Sequence, residues 1–583
     1  MKFAVLAGAF GRMESTSKRT ELTAFLVDLL RETPPESVAT ITYLIQGKLR
    51  PDFEGVELGV AEKLAARAIA KSAGVPASAV ADRFKSGGDL GDAAAGVLDS
   101  RAQTTFAAEE ITVDRVYETL LRIARASGAR SQEMKARYIS SLLNDATPDE
   151  ARYIVKLLLG TMRLGVAENT MLDALAISFA GGKEARPELE RAYNVSSDLG
   201  RVASAAAAGG AEAARGFEIR MYSPVRPMLA ERVRDPSGAE PRLGAEFAAE
   251  FKLDGERVQI HAGGERVAIF SRRLEDVASY YPDIIEMVPP RIGGREAILE
   301  AEAVAVNEET GAFLPFQELM HRRRKHGVAG AVTKYPVSVN LFDVLYVDGR
   351  SLLCEPYSAR REILEGMVDA DQRVRCVQAA RTGGAGLDDL MEDAFNAGAE
   401  GLMLKKLDST YQAGSRGSNW LKLKREYRDD LADSLDLVVV GAFFGRGRRT
   451  GMYGTLLLAT NDAPTGTLTS VCKVGTGFTD ADLDSLYQML SPDARARRDR
   501  RVVSGMEADV WFDPSLVIEV AASEVTLSPT HKAGMDAVRK GYGFALRFPK
   551  FTGRIRDDKS PEQASTNEEL EALYAGQNKA ARA

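Results

Sequence analysis

Lys252-Leu253-Asp254-Gly255-Glu256-Arg257 sets a lysine in a tight turn, with a second acid, Glu250, two residues upstream. Apolar residues alternate after it, at Val258 and Ile260, the pattern of a half-buried β-strand leading away from the turn. Flanking strands can fix such a lysine in space while its amine reaches a cleft. Taken alone, Lys-x-Asp-Gly is explained as well by an exposed hairpin turn. A free lysine, with a pKa of roughly 10.4, is protonated at neutral pH. Nucleophilic use requires burial or nearby cations to lower that value. A nucleophile here therefore demands more basic residues converging from elsewhere in the chain.

With 583 residues the chain is too long for one core, and three domains is the natural division. Its 45% apolar and 27% charged content is that of an ordinary globular protein. A net charge of -7 does not advertise a nucleic-acid binder, although acidic outer faces can offset a basic cleft. Cys354, Cys376 and Cys472 lie far apart with no CxxC pair, which argues against a zinc module or disulfide framework and suits a reducing cytoplasm. Four histidines leave little room for a histidine-based metal centre. No stretch is long and apolar enough to span a membrane, and the first residues lack a basic flank before an apolar core.

From residue 1 to about 200 the pattern is helical, with apolar residues at three- and four-residue spacing over 20–31 and 60–73. Thr147-Pro148-Asp149-Glu150 reads as an N-cap, a proline at the first helical position and acids in the first turn; the helix then ends at Gly160. The joints Ser86-Gly87-Gly88-Asp89-Leu90-Gly91 and Arg163-Leu164-Gly165-Val166 serve chain reversal, and their exposed N–H groups can also hold backbone phosphates. Residues 204–216, almost all alanine and glycine, read as a linker or a weak helix and place a boundary near 215.

Strand-like runs follow at 265–271, 297–306, 337–347 and 401–405, interrupted by a helix over 387–397, giving an α+β domain to about 430. Beyond it, short runs at 438–440, 455–460, 468–474, 510–512 and 516–521, with glycine turns, suggest a β-barrel of the oligonucleotide-binding type, with a helix over 480–490. The expected fold is therefore multidomain: an all-α domain over 1–215, an α+β domain over 216–430 and a β-barrel with a C-terminal tail over 431–583.

The demanded residues are present, in order. Ser271-Arg272-Arg273 closes the hairpin after the lysine turn, and Leu299-Glu300-Ala301-Glu302 ends an apolar run in an acid. Phe342-Asp343 sits inside the 337–347 run, and Glu400-Gly401-Leu402-Met403-Leu404-Lys405 brackets an apolar core with two charges. Trp420-Leu421-Lys422-Leu423-Lys424 puts two lysines on one strand face by period-two spacing. Each fragment has a bland account alone; their joint occurrence is much harder to assign to chance.

These fragments resemble the ordered motifs of the covalent nucleotidyltransferases, and most closely the ATP-dependent DNA ligases of the archaeal type. The resemblance extends over nearly the whole chain, through Arg163-Leu164-Gly165-Val166-Ala167-Glu168, Arg226-Pro227-Met228-Leu229-Ala230, Arg547-Phe548-Pro549 and Arg554-Ile555-Arg556-Asp557-Asp558-Lys559. It implies that Lys252 attacks the α-phosphorus of ATP, expels pyrophosphate and carries AMP as a phosphoramidate. It further implies that Glu250 contacts adenine, that Phe342 stacks on it, and that Arg257 and Arg272 bind the ribose or the 5′-phosphate of a nick. Glu302 and Glu400 would serve the ribose and Mg²⁺ (or Mn²⁺), a hard cation suited to carboxylate and phosphate oxygens. Lys405, Lys422 and Lys424 would neutralise the triphosphate, with Arg416 at the α-phosphate.

Arg554, Arg556, Asp558 and Lys559 would orient the leaving pyrophosphate, after which the barrel rotates about residues 424–433 to meet DNA. The implied outcome is sealing of 5′-phosphate/3′-hydroxyl nicks in duplex DNA during replication, repair and recombination, by a monomer in the cytoplasm at the nucleoid. Gln103-Thr104-Thr105-Phe106-Ala107 keeps the glutamine and one aromatic of a sliding-clamp motif, with alanine in the second aromatic place. An RNA ligase or capping guanylyltransferase shares the lysine chemistry, but the long helical front suits duplex DNA instead. A non-catalytic scaffold on nicked DNA leaves the lysines and acids unexplained. An NAD-dependent ligase would carry a cysteine-rich zinc module, which this sequence lacks.

Overall fold

A computed structural model of the protein describes residues 1–100, 109–128, 130–233, 236–307, 312–314, 316–322, 328–424, 434–445, 452–495 and 497–580. Gln103 and Phe106 of the clamp-like stretch lie outside these residues, as do 425–433 of the expected pivot. Packing gathers the chain into two compact units. One comprises Met1–Glu231, Glu246–Ala380 and Lys405–Trp420, the other Arg232–Ala245, Arg381–Leu404 and Leu421–Ala583.

The front of the first unit is helical. Helices Arg19–Glu32, Glu62–Ala73 and Pro148–Leu159 contribute Leu26, Ala65 and Ile154 to one buried core shared with Phe3, Phe10 and Ile41. At Thr147 the N-cap is a full capping box: the Thr147 N–H donates to Glu150 Oε2 at 2.9 Å, and the Glu150 N–H donates to Thr147 Oγ1 at 3.3 Å. Gly160 ends that helix in the left-handed region, with φ 63°. Residues 204–216 mostly join helix Leu199–Arg215, in which Gly209 and Gly210 depart from helical geometry. Two adjacent glycines offer the backbone the freedom to break there.

The rest of the first unit is built on a six-stranded sheet. Arg266–Ser271, Glu256–Gly263, Ala297–Ala305, Val337–Val347 and Arg350–Ser351 pair antiparallel in that order, and Val374–Cys376 adds a parallel partner to Val337–Val347. Helices Pro282–Arg291 and Tyr357–Met367 contribute Ile284, Val288 and Leu364 to its core. Strand Phe247–Lys252 runs beside Gln378, whose carbonyl accepts the Phe251 N–H at 2.9 Å.

The second unit holds an eight-stranded, curled sheet. Its central path runs Ala494–Arg495, Val510–Phe512, Leu435–Phe444, Tyr453–Asp462, Thr467–Val474 and Val502–Val503, with Val517–Ala521 and Lys550–Ile555 added. Bulges at Val439/Gly441, Phe443/Phe444 and Leu458/Ala459 bend these strands as a small barrel requires. Helix Asp480–Leu490 packs Leu483, Leu486 and Leu490 into this core. Among the described residues no helix is long and apolar enough to cross a membrane.

Candidate functional site

Lys252 is the last residue of strand Phe247–Lys252 and is half-buried. The turn after it needs glycine: a Cβ on Gly255 would lie 2.4 Å from the Ala303 carbonyl oxygen and 2.9 Å from Glu302 Cγ. That close approach seats the turn against strand Ala297–Ala305, where Arg257 pairs in register with Glu302 and Gln259 with Glu300.

Glu250 stands two residues before Lys252 on the same strand. It is 2% exposed, and its carboxylate is held on three sides. Lys405 Nζ lies 2.7 Å from Oε2, Arg361 Nη1 donates to Oε1 at 3.2 Å, and the Tyr357 hydroxyl donates to Oε1 as well. A carboxylate this deep is tolerated because opposite charge and hydrogen bonds replace its water. Burial and the Glu250 charge together push the Tyr357 hydroxyl well above its ordinary pKa, so it stays a donor.

Lys405, expected to neutralise phosphates, lies among the buried residues. It is 1% exposed, and its ammonium also donates to the Phe342 carbonyl at 3.1 Å. The rings of Trp420, Phe342 and Tyr357 surround it at 4.4, 4.7 and 4.8 Å. Desolvation lowers its pKa, with Glu250 opposing the shift. The strand pattern showed a terminal charge but not the aromatic box that closes over it.

Arg257 is likewise turned inward. Nε donates to Glu300 Oε2 at 2.7 Å, Nη1 to the Met228 carbonyl at 2.7 Å and Nη2 to the Tyr411 hydroxyl at 3.2 Å. Glu300, 1% exposed, also accepts from Gln259 Nε2 and Tyr411. The guanidinium lies 5.3 Å from the Phe342 ring centre, and Phe342 itself remains half-buried. Arg272 and Arg416 are exposed, the first after strand Arg266–Ser271 and the second at the start of Arg416–Lys424. Glu302 is half-buried on its strand.

Lys252, Glu250, Arg257, Phe342 and Lys405 all belong to the first unit. Lys422, Lys424 and Glu400 belong to the second unit. There Lys424 Nζ pairs with Glu400 Oε2 at 2.5 Å, and Gly401, at φ 149°, is forced by the Leu423 carbonyl 2.2 Å from where a Cβ would stand.

Comparison with known proteins follows the same residues. Three family models match in order: "DNA ligase N terminus" over residues 2–176, "ATP dependent DNA ligase domain" over 227–424 and "ATP dependent DNA ligase C terminal region" over 449–559. The DNA ligase of Cenarchaeum symbiosum (strain A) is 63% identical over 99% of this chain and 98% of its own. The chain belongs to the ATP-dependent DNA ligase family. The DNA ligase of Nitrosopumilus maritimus (strain SCM1) is 60% identical over 100% of this chain and 99% of its own, and DNA ligase 2 of Thermofilum pendens (strain DSM 2475 / Hrk 5) is 48% identical over 100% and 98%. A solved structure named Pmar-Lig_Pre shares the fold with a TM-score of 0.56 at 17% identity, over 94% of this chain and 99% of that one.

This family seals nicks in DNA using ATP and a divalent metal. Among the described residues no group of three or more His, Cys, Asp or Glu side chains gathers as a metal cage. A hard cation that takes one or two carboxylates and fills its shell with phosphate oxygens and water needs none. Glu302, half-buried on its strand in the first unit, is a carboxylate of the kind such an ion takes.

Two motifs that the sequence placed far apart meet within the ligase's first unit. Arg226 grips Glu168 with Nη1 at 3.1 Å and Nη2 at 2.9 Å, and Tyr193 donates to the same carboxylate at 2.7 Å. Burial would raise the Glu168 pKa, but Arg226 and Tyr193 hold it below the ordinary carboxylate range.

At the C-terminal end, Arg556 Nη1 and Lys559 Nζ both reach Asp436 Oδ2 at 2.6 Å, and Arg556 forks onto Asp558 at 2.8 Å twice. Arg554 is exposed, 3.7 Å from Glu519. Sequence inspection had missed Tyr357, Arg361, Glu300 and Tyr411. Only Glu300 carried a signal, an acid between apolar neighbours inside a strand run.

Proposed function

We propose that Lys252 is the nucleophile of ATP-dependent nick sealing, and that it carries AMP between ATP and the 5′-phosphate of DNA. The supporting observation is the placement of Lys252 at a strand end, two residues beyond a buried carboxylate held by Tyr357, Arg361 and Lys405. Lys252 Nζ attacks the α-phosphorus as the bond to pyrophosphate breaks. The 5′-phosphate of the nick then displaces lysine from AMP, and the 3′-hydroxyl displaces AMP. Positioning and charge neutralisation dominate such chemistry.

Glu250 is assigned to adenine and Phe342 to its face; Arg257 and Arg272 take the ribose or the 5′-phosphate. Arg416, Lys422 and Lys424 take the phosphates. Glu302 and Glu400 would hold the divalent ion, Mg²⁺ or Mn²⁺, which supplies charge neutralisation at the phosphates when bound. Arg554, Arg556, Asp558 and Lys559 orient pyrophosphate, with residues 424–433 as the pivot that later turns the barrel toward DNA. The domain boundaries proposed are 1–215, 216–430 and 431–583.

The ligase is further proposed to act as a monomer in the cytoplasm, at the nucleoid, in replication, repair and recombination. A sliding clamp is a proposed partner through Gln103 and Phe106. A pull-down comparing wild type with Phe106→Ala tests that contact; equal retention removes Phe106 from it.

Incubation with α-labelled ATP tests the central assignment. Wild-type protein should retain label through denaturation, and Lys252→Ala should retain none. Label on the variant would overturn the assignment.

A further inference from the structure

The Glu250 carboxylate can be counted out. Two oxygens offer four lone-pair directions. Tyr357 and Arg361 occupy Oε1, and Lys405 occupies one direction of Oε2. One acceptor direction on Oε2 remains. Arg361 is itself fixed, donating through Nη2 to the Val377 carbonyl at 2.6 Å and through Nε to Glu365 at 2.6 Å. Lys405 ties this acid to the aromatic face, since the same ammonium bonds the Phe342 carbonyl.

Resting on the assignment of Glu250 to the base, we propose that Tyr357, Arg361 and Lys405 are positioning residues that set base selectivity. They hold the Glu250 carboxylate in place, aim its single remaining lone pair at an exocyclic amine, and so favour a 6-amino purine over a 6-oxo purine. An amine donates to that lone pair. A carbonyl in the same place sets oxygen against an ionised oxygen, leaving a buried acceptor unpaired on both sides, the situation in which sites built for hydrogen bonding discriminate best. Removing the Tyr357 hydroxyl or the Arg361 charge frees a second acceptor direction and loosens the carboxylate. Either change lets it turn away from a carbonyl.

The test compares self-nucleotidylation with α-labelled ATP and with α-labelled inosine triphosphate, which differs in carrying a carbonyl at the position of the amine. Wild type, Glu250→Gln, Tyr357→Phe, Arg361→Met, Arg361→Lys and Lys405→Met are measured, each as a ratio of kcat/KM. Tyr357→Phe and Arg361→Met should lower the ATP preference on the order of ten-fold, the effect of one hydrogen bond. Arg361→Lys should restore most of it, and Lys405→Met should also raise the KM for ATP. A purely structural role would slow both nucleotides equally and leave the ratio intact, which overturns the proposal.

Glu250→Gln separates the two levels. If it relaxes the ratio while Tyr357→Phe and Arg361→Met do not, the positioning role is wrong and the base contact stands. If Glu250→Gln keeps the wild-type ratio, the base contact itself fails and takes the proposal with it. Should Arg361→Met or Lys405→Met not fold, Tyr357→Phe decides, since it deletes one hydroxyl without changing side-chain shape.

Discussion

The pocket behind the lysine turn and the C-terminal segment around Arg556 are both built from paired charges, at different depths. Arg360 and Asp343 are both 0% exposed, and Lys405 and Glu250 are nearly so. Around Arg556 the charges are graded: Arg556 and Asp436 are 14% and 10% exposed, Asp558 56% and Arg554 63%. Buried pairs cannot exchange partners cheaply, because a lone buried charge is strongly disfavoured. They hold a fixed shape, as the proposed base contact at Glu250 requires. Exposed pairs lose little when parted, since water and salt already screen them. Arg554 and Asp558 stand at that second depth, where the proposed pyrophosphate contact would find them.

The comparison breaks most visibly at Arg360, which forks onto Asp343 at 2.8 and 2.9 Å. Arg360→Met should cost about 3–5 kcal/mol of folding stability by stranding the Asp343 charge. Denaturant unfolding checks this; a loss below about 1 kcal/mol would place the pocket pairs with ordinary surface pairs.

His261 offers a pH test of the same depth. Its Nδ1 accepts the Tyr222 N–H at 2.9 Å, so the proton sits on Nε2 against Gln259 Oε1. Burial, then the Arg266 charge, pushes its pKa down to about 3. The unfolded chain binds a proton there below about pH 6.5 and the folded chain does not, so stability falls on acidification through the window from 6.5 to 3. The contribution is on the order of 2 kcal/mol by pH 5. The drop in unfolding midpoint between pH 7 and pH 5 should be smaller in His261→Gln than in wild type. Equal drops would show that His261 titrates freely.

Activity sharpens the contrast at the other region. Lys559→Ala should impair self-adenylation more than sealing of DNA already carrying a 5′-AMP. Equal loss in both assays would count against a role confined to the first step. Last and smallest, Arg554→Ala should shift stability by no more than about 0.5 kcal/mol, because its pair with Glu519 is long and solvated. A larger shift in thermal unfolding would mean that this segment is held as rigidly as the pocket.

Local features were legible from sequence because local physics governs them. The Thr147 capping box, the stop at Gly160 and the strand 337–347 follow from residues a few positions apart, and the structure has them there. Helix Asp480–Leu490 is another such case. The 204–216 stretch stayed ambiguous since alanine favours a helix and glycine opposes it, and packing resolved it into a kinked one.

The sequence by itself named the residues that could do chemistry here: a lysine in a tight turn, a period-two pair at Lys422 and Lys424, and the acids Glu302 and Glu400. Tertiary structure alone decided which charges face outward. Lys405 reads as a phosphate cation until Phe342, Tyr357 and Trp420 close around it, and Arg257 as a wholly open arm until Glu300, Met228 and Tyr411 take three of its five donors. Those partners lie tens of residues or more away along the chain. Burial depends on distant elements meeting, and the cost of an unpaired buried charge then fixes each partner.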